Sequence, residues 1–153
     1  MGLGKKARNF YNYPPEFKRL LGEALIESLK NEFFLKANTF GQIRELHQNA
    51  DAIDKGAIPR EEILLLRQVS KAMNLLEKFA PWRPKCYNRA LTAKRLLERR
   101  DIKPRLHIGF RKKDGEFDGH AWITYCGKFI TGRLPGIRRY NELRPVAESN
   151  SST

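Results

Sequence analysis

Hydrophobic side chains recur every three or four positions in two long segments of the N-terminal half, as on one face of a helix. Pro14 and Pro15 precede the first segment, while Pro59 followed by Glu61 and Glu62 opens the second, because acidic residues suit the positive end of a helix. The first stripe comprises Phe17, Leu20, Leu21, Ala24, Leu25, Ile26 and Leu29. The second comprises Ile63, Leu66, Val69, Met73, Leu76 and Phe79. We also predict a shorter helix over residues 39 to about 52, and a basic, aromatic, turn-rich stretch over residues 1–15.

After Pro81 the pattern predicts a helix from residue 85 to about residue 100, followed by an alternating strand over residues 106–110. Turn residues at 113–116 predict that residues 121–125 return antiparallel to that strand, and Cys126-Gly127 leads into a third strand at 128–131. The expected fold class is α+β, with one Cys-bearing helix packed on a small antiparallel sheet.

Three regions are expected along the chain. Residues 1–80 form a helical N-terminal region of three helices, residues 81–147 the catalytic core, and residues 148–153 a disordered polar tail. The chain has 153 residues, about the length of one domain, and its 41% hydrophobic and 31% charged residues are ordinary for a globular protein.

The net charge of +13 is concentrated in one segment. Residues 83–113 carry twelve Lys or Arg against two acidic residues. Such a basic face attracts nucleic acid, an anionic membrane surface or an acidic peptide, or it is only a solvated helix face. No helix-turn-helix, zinc-finger or aromatic RNA-binding pattern accompanies the charge, which is evidence against nucleic-acid binding, and an acidic or mixed-charge peptide partner fits at least as well.

The sequence predicts a cytoplasmic protein. It has no run of eighteen apolar residues, and residues 1–11 lack the apolar centre of a signal peptide, so we expect no membrane span. Cys86 and Cys126 are expected to be free thiols in a reducing compartment. The histidines are scattered, without Cys-x-x-Cys or His-x-x-x-His spacing, and we expect neither a metal nor a cofactor.

Cys86 and His120 are the candidate catalytic pair. Cys86 lies at the predicted start of a helix, after Pro84 and beside Lys85, where the helix end and the cationic side chain favour a reactive thiolate. His120, on a predicted strand, supplies a general base. A lone buried cysteine is usually an inert small hydrophobe and a lone strand histidine usually packs in a core. Nevertheless, the elements follow each other as in papain-like and transglutaminase-like folds: a helix that carries the cysteine, then a strand, then a strand that carries the histidine.

These residues resemble the transglutaminase-like cysteine peptidases of lasso-peptide biosynthesis, which remove the leader from a ribosomally made precursor. The resemblance covers about residues 79–133, and the N-terminal half is similar only in length and character to the stand-alone form of the peptidase. The matching segments are Pro81-Trp82-Arg83-Pro84-Lys85-Cys86, Arg89-Ala90-Leu91, Leu96-Leu97, Ile102-Lys103-Pro104-Arg105-Leu106, Ile108-Gly109, His120-Ala121-Trp122 and Gly127.

The resemblance implies that Cys86 is the nucleophile and His120 the general base and acid. It implies three partners: the precursor peptide with its leader and core, a small leader-recognition protein, and an asparagine-synthetase-like macrolactam synthetase. In the wider superfamily a carboxylate or amide about a dozen residues beyond the histidine orients its ring. That position falls at Thr131-Gly132, which offers no such side chain.

The orienting group therefore stays open at this stage. Asp118, Asn141, Glu142 or a backbone carbonyl could serve, and a dyad held by packing against Trp122 is the alternative. Other residues near the pair have ordinary interpretations. Trp82 could shape the substrate slot or donate near the oxyanion, but we favour a place in the core. His107 is structural or exposed, and Cys126 lies at a hairpin tip. Tyr87 and Asn88 are candidates for substrate contact.

Three functions remain open. The chain is a leader peptidase, another thiol amidase or acyltransferase of the same fold, or a non-catalytic basic binding protein. Water or an added amine at the cut carbonyl separates the first two. Salt-sensitive binding that survives replacement of Cys86 would indicate the third.

Overall fold

The computed structural model describes residues 3–38, 52 and 56–142. The helices are α1 (Leu3–Tyr11), α2 (Pro15–Ala37), α3 (Arg60–Phe79) and α4 (Cys86–Glu98), and the strands are β1 (Arg105–Lys113), β2 (Glu116–Tyr125), β3 (Lys128–Thr131) and β4 (Asn141–Glu142), with a 3₁₀ turn at Ile137–Arg139. The predicted helix over 39–52 lies outside the described residues, except for Ala52, which is not helical. The predicted tail over 148–153 also lies outside them.

Helix α1 occupies a stretch that we expected to be turn-rich, so that expectation is wrong. The turn residues at Asn12, Pro14 and Pro15 follow the helix rather than interrupt it. Lys18 stabilises its C-terminal end by donating a 3.0 Å hydrogen bond to the Tyr11 carbonyl, where a cation complements the helix dipole.

Helix α2 begins at Pro15 as predicted and buries Phe17, Leu20, Leu21 and Ala24 of the expected stripe, but its buried face departs from that stripe after Ala24. Leu25, Ile26 and Leu29 are exposed, whereas Glu27, Ser28 and Asn31 on the same helix are buried. The reason is α4, which lies against α2 and presents polar side chains that require hydrogen-bond partners. In α3 the predicted stripe agrees with the buried face. Its inner residues are buried, and within the stripe only Ile63 and Phe79, near the two ends of the helix, are exposed.

The sheet has four antiparallel strands in the order β3-β2-β1-β4, confirming the α+β class and adding one strand to the expected meander. A two-residue turn of Asp114 and Gly115 joins β1 to β2, and both residues have positive φ, as a type I′ hairpin turn requires. The fourth strand pairs Glu142 with Gly109 and Asn141 with Phe110.

One hydrophobic cluster joins the helices to the sheet. It contains Phe17, Leu20, Leu21 and Ala24 of α2, Leu66, Val69, Ala72, Met73 and Leu76 of α3, Ala90, Ala93, Leu96 and Leu97 of α4, and Leu106, Ile108, Ala121, Ile123, Tyr125 and Ile130 of the sheet. The predicted domain boundary at residue 80 stays a prediction. Residues from both sides of that position pack in this one cluster. No helix among the described residues is both long and apolar enough to cross a membrane.

Much of the basic segment is neutralised within the fold. Arg95 and Arg99 of α4 pair with the buried Glu27 of α2, and Arg100 pairs with Glu23 at 3.1 Å. Lys94 pairs with Glu98 one turn along its own helix. Three of the twelve cations that suggested a basic face, Arg95, Arg99 and Arg100, therefore attach α4 and the residues after it to α2.

Candidate functional site

Cys86 is the first residue of α4. Lys85 before it is extended, and the first backbone bond of the helix runs from the Arg89 N–H to the Lys85 carbonyl. The N–H groups of the first helical turn therefore have no partner within the helix and point towards the side on which the thiol lies, where a helix start favours an anion. The thiol is half-buried and is not in a disulfide.

His120 lies on β2 and hydrogen-bonds the Cys86 thiol. Its Nε2–H donates to the backbone carbonyl of Gly132, twelve residues further along the chain. Because Nε2 is occupied, Nδ1 is the ring nitrogen left for the thiol. The carbonyl thus fixes the ring and its tautomer in the way that an orienting side chain would.

The surroundings favour the ionised form of the thiol. Burial raises the pKa of Cys86, but the hydrogen bond with His120, the backbone N–H of Ala121, and the positive charges of His120 and Arg89 together outweigh burial and lower that pKa. The thiolate is the reactive form of cysteine.

The pKa of His120 shifts in the opposite direction. Burial lowers it, whereas the hydrogen bond with Cys86, the Gly132 carbonyl and the thiolate charge raise it, and the net shift is upward despite the charge of Arg89. A lowered cysteine pKa beside a raised histidine pKa favours a thiolate–imidazolium pair in the resting site.

Aromatic packing holds the same ring from other sides. His120 stacks on Trp122 with a centroid separation of 5.9 Å, and Tyr140 lies 5.6 Å from the imidazole. His107 stacks on Trp122 at 5.1 Å, with the two ring planes nearly parallel. Gly109 permits this packing, because a Cβ there would lie 2.8 Å from Tyr140 Cβ.

The carboxylates considered as orienting groups contact other partners. Asp118 accepts a 2.9 Å hydrogen bond from Arg111 Nε and a 2.7 Å bond from the Tyr140 hydroxyl, and Glu142 accepts one from His107 Nδ1. Both therefore act on the walls of the site, Asp118 through Tyr140 and Glu142 by attaching β4 to β1. Among the described residues, the candidate that hydrogen-bonds His120 is the backbone carbonyl, that of Gly132.

The structure also places the other residues that the sequence suggested near the catalytic pair. Trp82 donates from Nε1 to Ser28 Oγ at 3.0 Å, so its N–H serves packing rather than an oxyanion. Asn88 borders the groove beside the thiol, but its side chain is fully buried and bonded to α2, so it has a structural role, whereas Tyr87 lines the groove and is partly exposed. His107 is buried in a structural network with Glu142 and Thr124.

Two cavities meet at His120. The first, about 410 Å³, is lined by Cys86, Tyr87, Ile108, Phe110 and Gly119, with Lys36 and Lys85 among its charged residues; we call it the thiol groove. The second, about 640 Å³, lies between α3 and the β3 region; we call it the α3 cavity. The sequence did not predict either, because each is formed by distant segments.

No group of three or more His, Cys, Asp or Glu among the described residues is arranged to hold a metal ion. The chemistry that the described side chains support is attack by the Cys86 thiolate on a carbonyl carbon, with proton transfer through His120.

Comparison with known proteins agrees with this geometry. The family model of the transglutaminase-like superfamily matches residues 30–145, which include the Cys86 helix and the whole sheet. No curated protein and no solved structure matches the chain. Members of the superfamily are typically cysteine-dependent enzymes, which indicates a peptidase or an acyltransferase. The chain belongs to the transglutaminase-like superfamily.

Proposed function

We propose that this protein is a cysteine peptidase that removes the leader from a lasso-peptide precursor before the macrolactam ring closes. The observation that carries the peptidase proposal is that Cys86 and His120 lie together in the thiol groove, with the imidazole oriented by Gly132 and the α3 cavity meeting the groove at His120. The lasso-peptide assignment rests on the sequence resemblance over residues 79–133.

The chemistry follows from the ionised pair. The Cys86 thiolate attacks the carbonyl carbon of the amide that joins leader to core, and the resulting oxyanion is stabilised at the N-terminal end of α4, including by the backbone N–H of Cys86. His120 then gives its proton to the departing amine, so the core leaves with a free N-terminus. Water attacks the acyl-enzyme, with His120 as base, and releases the leader from the sulfur.

The proposal includes the two protein partners that the resemblance implies. The thiol groove and the α3 cavity are short features beside the cut, so recognition of a long leader falls to the small leader-recognition protein. The asparagine-synthetase-like synthetase then consumes the free N-terminus of the core in ring closure. The partner reads the leader and this chain performs the cut.

The test is to incubate the protein with a precursor peptide and the leader-recognition protein and to follow the products by mass spectrometry. We expect two fragments that add up to the precursor plus one water. A leader fragment that carries an added amine at its C-terminus would show acyl transfer instead. An unchanged precursor, under conditions where the protein is folded, would contradict the proposal.

A further inference from the structure

The α3 cavity has a charge pattern that the reaction itself does not require. One wall is a polar face of α3 formed by Ser70, Asn74 and Glu77, which are spaced to lie on one side of the helix. The opposite wall is β3 and the loop after it, with Lys128 and Arg133. His120 and Arg89 also line the cavity.

Cations outnumber acids in this cavity. Arg89 and Glu77 pair with each other, and Arg89 Nε is buried without a hydrogen-bond partner. Lys128 and Arg133 have no carboxylate partner within the described part of the chain, although the Arg133 guanidinium lies 5.8 Å from the Phe129 ring. Both side chains are exposed, and together they place two positive charges, without a carboxylate partner among the described residues, on the β3 side of this cavity.

The position of the cavity relates it to one side of the cut amide. Cys86 lines the thiol groove but not the α3 cavity, whereas His120 lines both. In the tetrahedral intermediate the acyl carbon is bonded to sulfur, and the leaving nitrogen lies within reach of the imidazole that protonates it. The leaving segment therefore extends past His120 into the α3 cavity, and the acyl segment lies in the thiol groove.

We infer that the α3 cavity is a specificity site for an acidic side chain of the substrate, carried by the segment that leaves as the amine, with Lys128 and Arg133 as the residues that bind it. This inference rests on the proposed peptidase function for its assignment to the leaving side. An uncharged side chain at the same position would leave the two cations unpaired. A basic side chain would be repelled by them.

The experiment uses a pool of synthetic peptides with randomised sequence, digested by the wild-type protein and read by mass spectrometry. We expect Asp and Glu to be enriched about fivefold on the leaving side of the cut sites, and this enrichment to weaken as salt rises. The variant K128E/R133E should lose it and favour Lys and Arg instead. K112E, which reverses an exposed charge near the β1–β2 turn, is the matched control and should cut like the wild type.

A second arm measures binding without turnover. Fluorescent octapeptides that carry one Glu, or the matched Gln, are titrated into Cys86→Ala, and we expect about fivefold tighter binding of the Glu series. Cleavage without acidic enrichment would overturn the inference and leave the peptidase proposal standing. Absence of cleavage together with a Glu preference would overturn the peptidase proposal and retain the acidic site. Equal binding of the two series would overturn the acidic site.

Discussion

His120 and Gly132 are joined by a hydrogen bond from the imidazole Nε2–H to the backbone carbonyl, across twelve residues of chain. A backbone carbonyl cannot be protonated at any ordinary pH, and it carries only a partial charge. It therefore orients the ring as a side-chain carboxylate would, while providing less stabilisation of the imidazolium. This geometry supports a pair of catalytic side chains, Cys86 and His120, with the backbone carbonyl of Gly132 as the orienting group.

Replacing Cys86 with alanine should abolish leader removal, because no other described thiol contacts His120. The fold should survive, since a small side chain replaces a small one at the first residue of α4. Mass spectrometry of the products measures the loss, and circular dichroism checks the fold. Cys126→Ser is the control and should be nearly silent, and if it alone removed activity, Cys126 would be the nucleophile.

Neither Asp118→Asn nor Glu142→Gln should lower kcat by as much as two orders of magnitude, or about 3 kcal/mol of barrier. The reason is that neither carboxylate contacts His120. Steady-state kinetics of each folded variant checks this. A loss of that size in either one would identify it as a hidden orienting residue.

Gly132→Ala should lower kcat strongly, because Gly132 has a φ of +85° and an added Cβ would lie 2.6 Å from the Ala121 carbonyl oxygen. The carbonyl that orients His120 must then shift. Gly115→Ala is the matched control, since Gly115 has a φ of +82° but its Cβ would meet open space. Gly115→Ala should lose about 1 kcal/mol of stability from backbone strain and keep its activity, whereas Gly132→Ala should lose more stability because of the overlap and should also lose activity.

The rate should follow a bell-shaped curve with pH. Burial opposes the ionised forms, but the Cys86–His120 contact lowers the thiol pKa and raises the imidazole pKa. The acid limb falls as Cys86 gains a proton, and the alkaline limb falls as His120 loses the proton that the leaving amine needs. A profile of kcat/KM measures both limbs, which belong to the coupled pair. A rate that rises only above the ordinary cysteine pKa would contradict the ion pair.

Cleavage of the precursor should be slow with this protein alone and faster when the leader-recognition protein is added. Local contacts at the thiol groove and the α3 cavity orient the cut amide, while the partner raises the local concentration of the leader. A time course by mass spectrometry, with and without the partner, provides the comparison. Equal rates would show that this chain recognises the leader unaided.

Glu27→Ala should lower the free energy of unfolding by about 2 kcal/mol, because it removes a buried carboxylate that binds Arg95 and Arg99 and so attaches α4 to α2. Denaturant titration measures the change. Glu23→Ala, which removes the more exposed pair with Arg100, is the control and should cost about 0.5 kcal/mol. Equal costs would mean that Glu27 has no special role.

Local sequence patterns predicted several elements correctly. The period of the apolar residues, with Pro15 and Pro59 at the starts, predicted α2 and α3, and Asp114-Gly115 predicted the β1–β2 hairpin. Each of these features depends on neighbours within a few residues, where helix and strand periodicity and turn chemistry operate. The same reasoning gave a wrong prediction for the stretch before Pro14, because the turn residues there end α1 instead of preventing it.

By itself the sequence determined the α+β class, the order of the Cys86 helix and the His120 strand, and the helix start that exposes N–H groups beside the thiol. Only the tertiary structure decided which groups meet. Periodicity predicts that a helix face is covered but not by what, so Glu27, Ser28 and Asn31 of α2 became a buried polar face once α4 lay against them. Likewise Gly132 serves His120 through its backbone, which every residue possesses, and only the path of the chain after β3 brings that carbonyl to the ring.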